Sequence, residues 1–364
     1  AYLRRRNLKK FWFRLNKNNL PEELIKITDS FMKSESYLWT SKFWRHNIIN
    51  HYNYMSGLTH ANDPLHTILK FDYSGYNFLD EFSLDEKLKS KENLMKFKNN
   101  FLKKYPKASL KKHEGMSESK SVEYNISLLY LYEKLQNNNI LSLYNKISKE
   151  IYKKYNPCID IDGKIISQHL LLSLLEYSKI DFLTKNIKKP LKILELGAGY
   201  GRTANMVLSL NSQSKYVIAD LPPSIYFSLK NLRESFKNKK IKNGFEIKNQ
   251  DEMMNEFNKN DILFILPHQL NLFERKAFDI TISIGNLCEM EKSQIKNYMK
   301  IFERLSKFLY FKVWEISGLP YSFYQYYSVH NRKDYEIKDD WKEHFKDRCI
   351  MPHNQFDLGY EFKN

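Results

Sequence analysis

Residues 191–220, with the sequence LKILELGAGYGRTANMVLSLNSQSKYVIAD, constrain the fold more than any other part of the chain. The stretch opens with a short apolar run, which is typical of a strand buried on both faces of a parallel sheet. Three glycines at alternate positions, from Gly197 to Gly201, follow at once, and residues 202–210 can carry a helix. Residues 216–219 form a second apolar run that ends at Asp220. This order predicts a β-α-β unit with a glycine-rich first turn and an acid closing the second strand.

The predicted turn has the chemistry of a nucleoside site. Glycine lets the backbone approach a ligand where a Cβ atom would clash. The N–H groups that open the following helix favour an anionic group. A carboxylate at the tip of the second strand, here Asp220, can accept hydrogen bonds from both hydroxyls of a ribose. The ligand expected is therefore a nucleoside with a negative group at its far end. The alternative is a tight structural turn that binds no nucleoside.

The spacing of the glycines separates two classes of cofactor. Dinucleotide sites favour G-x-G-x-x-G, whereas this chain has an acid, Glu195, two residues before G-x-G-x-G. This pattern resembles motif I of the class I S-adenosylmethionine methyltransferases. The resemblance implies S-adenosylmethionine as the cofactor, with Glu195 near its methionine amino group and Asp220 on its ribose hydroxyls. The turn itself, which consists of Gly197, Ala198, Gly199, Tyr200 and Gly201, would then lie under the methionine and the ribose.

Three further apolar runs, at residues 261–266, 278–284 and 308–314, predict three more strands, and residues 293–305 predict an amphipathic helix. Strands that alternate with helices predict an α/β fold with a doubly wound, mostly parallel Rossmann-like sheet, the fold of class I methyltransferases. Ligands of such sheets bind at the carboxyl ends of the strands. Four polar residues fall at these ends: His268, Gln269, Asn286 and Glu289.

Several segments together resemble a family of sugar O-methyltransferases. They are 195–202 (ELGAGYGR), 220–224 (DLPPS), 266–270 (LPHQL) and 288–290 (CEM), in this order. The resemblance implies methyl transfer to a hydroxyl of a saccharide or a sugar-containing glycan precursor. The chain departs from the family at Asn286 and Leu287, where a serine followed by Phe or Met is expected, and at Cys288. The side chain of Cys288 is therefore given no role, while Glu289 remains a candidate.

A sugar hydroxyl is a weak nucleophile, so a base beside it should help by about a hundredfold or more. Glu289 is the first candidate for this base and His268 the second. The alternatives are a structural role for Glu289, bonded to backbone or to Arg202, and a place in the adenine pocket for His268. Gln269 is assigned to the adenine edge, and Asn286 is also assigned to cofactor binding. The spacing of His, Asp and Glu gives no argument for a catalytic metal.

The net charge is +17, from 59 Lys and Arg against 42 Asp and Glu. Such a balance is compatible with nucleic acid, and it makes an RNA methyltransferase one alternative function. However, the basic residues are spread along the chain, and Lys, Asn, Ile, Tyr and Phe are abundant together, as an AT-rich genome would produce. A nucleic-acid partner is therefore not expected. The other alternative is a binding module that keeps the fold without catalysis.

Residues 1–156 show a helical pattern and are expected to form an acceptor-side cap, while residues 157–364 form the methyltransferase domain. Residues 1–20 are basic and aromatic at helical spacing, so they either pack on the protein, which we favour, or contact an anionic membrane surface. The three cysteines form no C-x-x-C pair, and no apolar window is long enough to cross a membrane. These features predict a cytoplasmic protein, with the inner face of the membrane as the alternative location.

Overall fold

A computed structural model describes residues 7–35, 40–57, 90–114, 116–155, 157–322 and 325–363. The helices in the first part of these ranges are α1 Leu8–Arg14, α2 Glu22–Lys33, α3 Lys42–Gly57, α4 Lys91–Lys104, α5 Glu118–Asn137 and α6 Glu150–Tyr155. The later helices are α7 Gln168–Thr184, α8 Arg202–Leu210, α9 Ser224–Ser235, α10 Gln250–Lys259 and α11 Lys292–Leu305.

The strands lie almost entirely in the second half of the chain. They are β1 Cys158–Ile161, β2 Lys164–Ser167, β3 Lys192–Leu196, β4 Lys215–Ala219, β5 Ile241–Asn243 and β6 Ile262–Ile265, followed by β7 Phe278–Ile284, β8 Ser306–Trp314, β9 Ile316–Ser322, β10 Gln325–Asn331, β11 Lys342–Arg348 and β12 Gln355–Glu361.

The main sheet has eight strands in the order β11-β12-β8-β7-β3-β4-β6-β5. From β8 to β5 all neighbouring strands are parallel. Beyond β8, β12 runs antiparallel to β8, and the edge strand β11 runs antiparallel to β12. The chain runs outward from β3 through β4 to the edge strand β5, returns to form β6 between β4 and β5, and then crosses to β7 on the other side of β3. The order therefore reverses between β3 and β7, which is where open α/β sheets bind their ligands.

Helices cover both faces of this sheet. Alternate residues of each strand point to opposite faces, so Ile193 joins a cluster that includes α7, α8 and α9, while Leu194 joins one that includes α10 and α11. The predicted fold class, a doubly wound and mostly parallel sheet preceded by helices, is confirmed. Five elements of the sheet match the predicted strands, whereas β5, β11 and β12 have no counterpart in the sequence analysis.

The first helix packs on its neighbours with its apolar face. Leu8 and Trp12 are fully buried, and the Trp12 indole donates a hydrogen bond to Asp29 at 2.7 Å. Phe13, on the opposite face, is 70 % exposed. Among the described residues, no helix is both long and apolar enough to cross a membrane. Residues 1–6 lie outside the described residues, and contact of residues 1–20 with a membrane surface stays a prediction.

The N-terminal helices also contact the sheet domain directly. Arg233 of α9 pairs with both carboxylate oxygens of Glu23 in α2, at 2.7 and 2.9 Å. The Tyr152 hydroxyl in α6 donates to the main-chain oxygen of Arg202 at 2.6 Å. One continuous hydrophobic cluster contains buried residues from both sides of position 156. The helices are thus packed against the face of the sheet that carries α7, α8 and α9.

A buried ion network fixes α7 against the sheet. Glu176 of α7 is 1 % exposed and accepts two hydrogen bonds from Arg202, at 2.5 and 2.8 Å, and one from Lys312 of β8 at 2.9 Å. Lys312 lies 3.7 Å from Asp357 of β12, which also accepts a hydrogen bond from the Tyr310 hydroxyl at 2.6 Å. Although burial alone favours the neutral acid, Arg202 and Lys312 lower the pKa of Glu176 to about 2. The carboxylate is therefore charged and joins α7 to α8 and β8.

Replacing Glu176 by Gln tests this network. The amide keeps the size of the side chain but leaves Arg202 buried without its counter-charge, so we expect the free energy of unfolding to fall by about 3 kcal/mol or more. The matched control is Glu23→Gln, because Glu23 makes the same two-oxygen contact with Arg233 but is partly exposed. The control should lose less than about 1 kcal/mol in urea unfolding. Equal losses in the two variants would contradict a special role for the buried network.

Candidate functional site at the carboxyl edge of the sheet

The glycine turn after β3 has the conformation that its sequence requires. Gly197, Gly199 and Gly201 have φ angles of +77°, +60° and +86°, a region that residues with a Cβ atom rarely adopt. The Gly197 N–H donates to the main-chain oxygen of Ala219 at 2.9 Å, which ties the turn to the end of β4. Helix α8 begins directly after Gly201. The predicted strand, turn and helix are thus present in the predicted order.

Asn286 forms the floor beneath this turn. Its amide donates to the main-chain oxygen of Leu196 at 2.5 Å and accepts a hydrogen bond from the Ser283 hydroxyl. A Cβ atom added to Gly197 would lie 2.0 Å from the Asn286 Nδ2 atom, so only glycine fits there. The structure places Asn286 in the crevice between β3 and β7, and its effect on a ligand would act through the turn above it.

Asp220 lies beside the open part of the turn. Its two carboxylate oxygens accept hydrogen bonds from the N–H groups of Gly199, at 2.9 Å, and Leu221, at 2.7 Å. A Cβ atom added to Gly199 would meet no atom within 4 Å, so there is room above the turn for a ligand. Burial raises the pKa of Asp220 to about 7, although these two N–H groups act in the opposite direction. Burial raises the pKa of Tyr298 in α11, and the charge of Asp220 nearby raises it further.

Glu195 occupies a fully enclosed position at the end of β3. It is 2 % exposed, and its carboxyl group accepts a hydrogen bond from the Tyr216 hydroxyl at 2.9 Å. Burial raises the pKa of Glu195 to about 8, while the Tyr216 hydrogen bond and the charge of Arg202 lower it. A cationic group of a ligand nearby would favour the ionised form of this acid.

Gln269 uses its side chain to close the loop after β6. Its amide nitrogen donates to the main-chain oxygens of Gly244, at 2.7 Å, and Ile247, at 2.9 Å, while its oxygen accepts from the Leu266 N–H at 2.8 Å. Both amide hydrogens are therefore used within the protein, and the side chain is only 1 % exposed. Contact with an adenine edge stays a prediction, and it would require some of these hydrogen bonds to break.

His268 lies half-buried at the same strand end. Burial lowers its pKa, and the charge of Glu35, which follows α2, raises it. A neutral imidazole can accept a proton, as the predicted role of His268 as the second candidate base requires. Glu35, which follows α2, is thus close enough to His268 for its charge to act on this side chain.

Glu289 lies in a short turn after β7. Side chains from other parts of the chain donate hydrogen bonds to the backbone of this turn. The Ser41 hydroxyl, just before α3, donates to the main-chain oxygen of Glu289 at 3.3 Å. The Ser317 hydroxyl of β9 donates to the main-chain oxygen of Cys288 at 3.0 Å. His330 of β10 pairs directly with Ser317 in the hairpin register and is fully buried. The Glu289 side chain itself is half-buried, and its role as a base stays a prediction.

Cys288 is buried beneath this turn. Its thiol donates to the main-chain oxygen of Gly285 at 3.0 Å, and burial raises its pKa. A thiol that stays protonated is a poor nucleophile. Among the described residues, no group of three or more His, Cys, Asp or Glu is placed to hold a metal ion.

A pair of rings next to the glycine turn was missed by the sequence analysis. The Tyr200 hydroxyl lies 2.5 Å from the Nδ1 atom of His169, and the two rings are stacked with centroids 5.7 Å apart. His169 is in the first turn of α7, whose N-cap Ser167 accepts a hydrogen bond from the Leu170 N–H. The only signal in the sequence is a histidine at a helix start, which has no fixed spacing from the glycines.

No protein-family model matches this sequence, and no curated protein is significantly similar to it. Among solved structures, magnesium protoporphyrin IX methyltransferase of Synechocystis PCC 6803 with bound SAH is 9 % identical, with a TM-score of 0.38, over 62 % of this chain and 100 % of that chain. The 1,6-didemethyltoxoflavin-N1-methyltransferase of Burkholderia thailandensis is 13 % identical, with a TM-score of 0.36, over 64 % and 89 %.

A third similar structure is the PH0226 protein of Pyrococcus horikoshii OT3, which is 16 % identical with a TM-score of 0.36, over 52 % of this chain and 92 % of that chain. TM-scores in this range carry no argument about function.

The raised pKa of Glu195 predicts a pH-dependent difference between the protein and its Glu195→Gln variant. An acid whose pKa is raised from 4.5 to about 8 in the folded state destabilises the fold increasingly as the pH rises between these values. Glutamine does not titrate, so the variant should gain stability relative to the wild type between pH 5 and pH 9, by on the order of 3 kcal/mol. Urea unfolding at both pH values measures this gain.

The matched control is Glu246→Gln, since Glu246 is exposed. Its difference from the wild type should depend on pH far less than that of Glu195→Gln. A Glu195→Gln difference that is the same at pH 5 and pH 9 would show that Glu195 is ionised throughout.

Proposed function

We propose that this protein is an S-adenosylmethionine-dependent O-methyltransferase of class I that acts on a hydroxyl of a saccharide or of a sugar-containing glycan precursor. The observation that carries the cofactor assignment is the glycine turn. Its open side at Gly199 lies next to Asp220, and Glu195 is enclosed at the end of the same strand. A nucleoside with a cationic amino group at its far end fits this arrangement, with its ribose at Asp220 and its amino group at Glu195.

Asp220 and Glu195 would each bind a different part of the cofactor. Asp220 would accept hydrogen bonds from the ribose hydroxyls, exchanging for them its present bonds to main-chain N–H groups. Glu195 would face the amino group, and the raised pKa values of both acids would fall when the cation binds. When bound, the cofactor supplies a methyl group already activated by its sulfonium. The protein then has to position the acceptor in line with that methyl and take up a proton.

The acceptor side is formed where three parts of the chain meet. Ser41 from the N-terminal helices and Ser317 from the β9–β10 hairpin both hold the backbone of the Cys288–Glu289 turn. This arrangement supports a cap formed by residues 1–156 that closes over the carboxyl edge of the sheet. Glu289 would accept the proton of the sugar hydroxyl, and His268, which lies near Glu35, is the alternative base.

The substrate class rests on the sequence resemblance, and the geometry is compatible with it. The two other candidate functions predict different behaviour. An RNA methyltransferase would bind RNA with an affinity that falls steeply with salt. A binding module without catalysis would bind the cofactor and transfer no methyl group to any acceptor.

Glu289→Gln tests the proposed chemistry. With labelled S-adenosylmethionine and a panel of nucleotide sugars as acceptors, the wild type should transfer methyl groups to a sugar hydroxyl. The variant should keep its affinity for the cofactor and lose about a hundredfold in turnover, because the amide cannot accept the proton. Mass spectrometry of the products measures both the rate and the position of the methyl group.

The matched control is Glu315→Gln, since Glu315 follows β8 and pairs with Arg348 at 3.1 Å at the surface. Its turnover should be unchanged. If Glu289→Gln is as active as this control but less stable, Glu289 is a structural acid. Methyl transfer to RNA in place of the sugars would overturn the proposed substrate.

A further inference from the structure

The segments that lead into four neighbouring strands are rich in lysine. Strands β3, β4, β6 and β5 are adjacent and parallel, so their first residues meet at the amino edge of the sheet, opposite to the proposed cofactor site. These segments are residues 185–192, 211–215, 236–242 and 259–261. They contain one acid, Asp261, and ten lysines: Lys185, Lys188, Lys189, Lys192, Lys215, Lys237, Lys239, Lys240, Lys242 and Lys259. Over the whole chain the ratio of basic to acidic residues is only 59 to 42, so a general excess of lysine does not account for this edge.

The four segments contact one another. The Lys189 side chain donates a hydrogen bond to the side chain of Asn211, which joins the first segment to the second. The Lys239 side chain donates to the main-chain oxygen of Ser212, which joins the third segment to the second. Neighbouring strands lie about 4.8 Å apart, so the four strand starts span about 15 Å. The ten side chains therefore form one surface, the amino-edge lysine cluster, whose neighbouring members lie within a Debye length of about 10 Å.

The positive charge of this cluster is poorly compensated. The Lys215 side chain donates to main-chain oxygens at the end of α10, at 2.7 and 3.0 Å, and these acceptors carry no charge. Two carboxylates, Asp261 and Asp279, reach this edge and accept hydrogen bonds from main-chain N–H groups at 2.8 Å. Burial lowers the pKa of Lys215, and the charge of Asp261 raises it. The charges of Lys192 and Lys240 lower it further. The lysines thus repel one another, and an anionic surface would relieve this repulsion.

The carboxyl edge of the same sheet has the opposite balance of charge. The turns between β3 and α8, between β4 and α9 and between β7 and α11 contain Asp220, Glu289 and Glu291 but neither lysine nor arginine. An anionic surface would attract the amino edge and repel these turns. It would therefore orient the molecule with the carboxyl edge facing away from the surface.

The composition of the four segments favours a lipid surface over a nucleic acid. They contain no arginine, tyrosine or tryptophan. Proteins read bases with bidentate arginine contacts and bind single strands with aromatic rings that stack on the bases. Lysine acts as a point charge, which suits the diffuse charge of anionic lipid headgroups. Phe182, near the end of α7, is 46 % exposed and lies beside Lys185, whose Nζ atom is 4.8 Å from the centroid of the ring. It adds an apolar group that can enter the headgroup layer.

We propose that the amino-edge lysine cluster binds an anionic lipid surface and holds the protein peripherally on a membrane. The contact is electrostatic and joins lysine side chains of the four segments to phosphate and carboxylate groups of the lipids. It is independent of the proposed methyl transfer, because the site of that reaction lies at the opposite edge of the sheet.

Sedimentation with vesicles tests this proposal. The full chain should bind vesicles of equal parts phosphatidylserine and phosphatidylcholine and should not bind vesicles of phosphatidylcholine alone. Added salt should weaken the binding steeply, because it screens the charges. A triple variant that removes exposed charges of the cluster, with Lys188→Gln, Lys192→Gln and Lys242→Gln, should bind the mixed vesicles about a hundredfold more weakly. The single reversal Lys192→Glu should weaken this binding by about tenfold.

The matched control removes three exposed lysines on the side of the carboxyl edge, with Lys33→Gln, Lys248→Gln and Lys333→Gln. Its net charge equals that of the first triple variant. A strand of five residues is about 17 Å long, so these lysines lie beyond a Debye length from a surface at the amino edge. The control should therefore bind the mixed vesicles within about twofold of the wild type. Since all six lysines are exposed, both triple variants should keep the melting temperature of the wild type in thermal unfolding.

Three results would overturn the proposal. The first is failure of the wild type to bind the mixed vesicles. The second is an equal loss in the two triple variants, which would show that net charge and not the amino edge causes the binding. The third concerns polyuridylate as a competitor. If it binds the wild type more tightly than the vesicles do, and the amino-edge variant loses this binding, the partner is a nucleic acid and the lipid assignment is wrong.

Discussion

The carboxyl edge of the sheet depends on the double ion pair of Glu176. This one carboxylate binds Arg202, the first residue of the helix after the glycine turn, and Lys312 near the carboxyl end of β8. Burying three charges is costly, and only close partners offset that cost. These ion pairs can form only in one arrangement of α7, α8 and β8. They therefore fix the position of the glycine turn at the end of β3. They also fix the start of α7, where His169 contacts Tyr200.

Three acids near the turn differ in their protonation because their partners differ. Glu176 has two cationic partners, which lower its pKa to about 2, whereas burial raises the pKa of Glu195 to about 8 and that of Asp220 to about 7. Glu176 is therefore ionised in the folded protein, and its carboxylate is fully used in the ion pairs. The other two acids are only partly ionised near neutral pH, and a nearby cation would favour their ionised forms, so binding of a cationic nucleoside would be coupled to proton release there.

Local patterns in the sequence predicted the strand, turn and helix around Gly197 and the strands that follow, because burial on both faces leaves an apolar run. They also predicted that Asp220 lies at the turn. They did not predict the side chains of Asn286 and Gln269 turning inward, where they bond main-chain groups at the strand ends that would otherwise be buried without partners. The contact of His169 with Tyr200 joins residues 31 positions apart, and no fixed spacing in the sequence marks it.

The central claim is that Asp220 and the glycine turn hold S-adenosylmethionine, and calorimetric titration with S-adenosylhomocysteine tests it most directly. The wild type should bind, and Asp220→Ala should bind more than about tenfold more weakly, a loss of roughly 1.4 kcal/mol. Asp261→Ala, which removes a carboxylate bonded to the Lys240 N–H at the opposite edge of the sheet, should bind normally. An unchanged affinity in Asp220→Ala, or competition by NADH for the same site, would contradict the account.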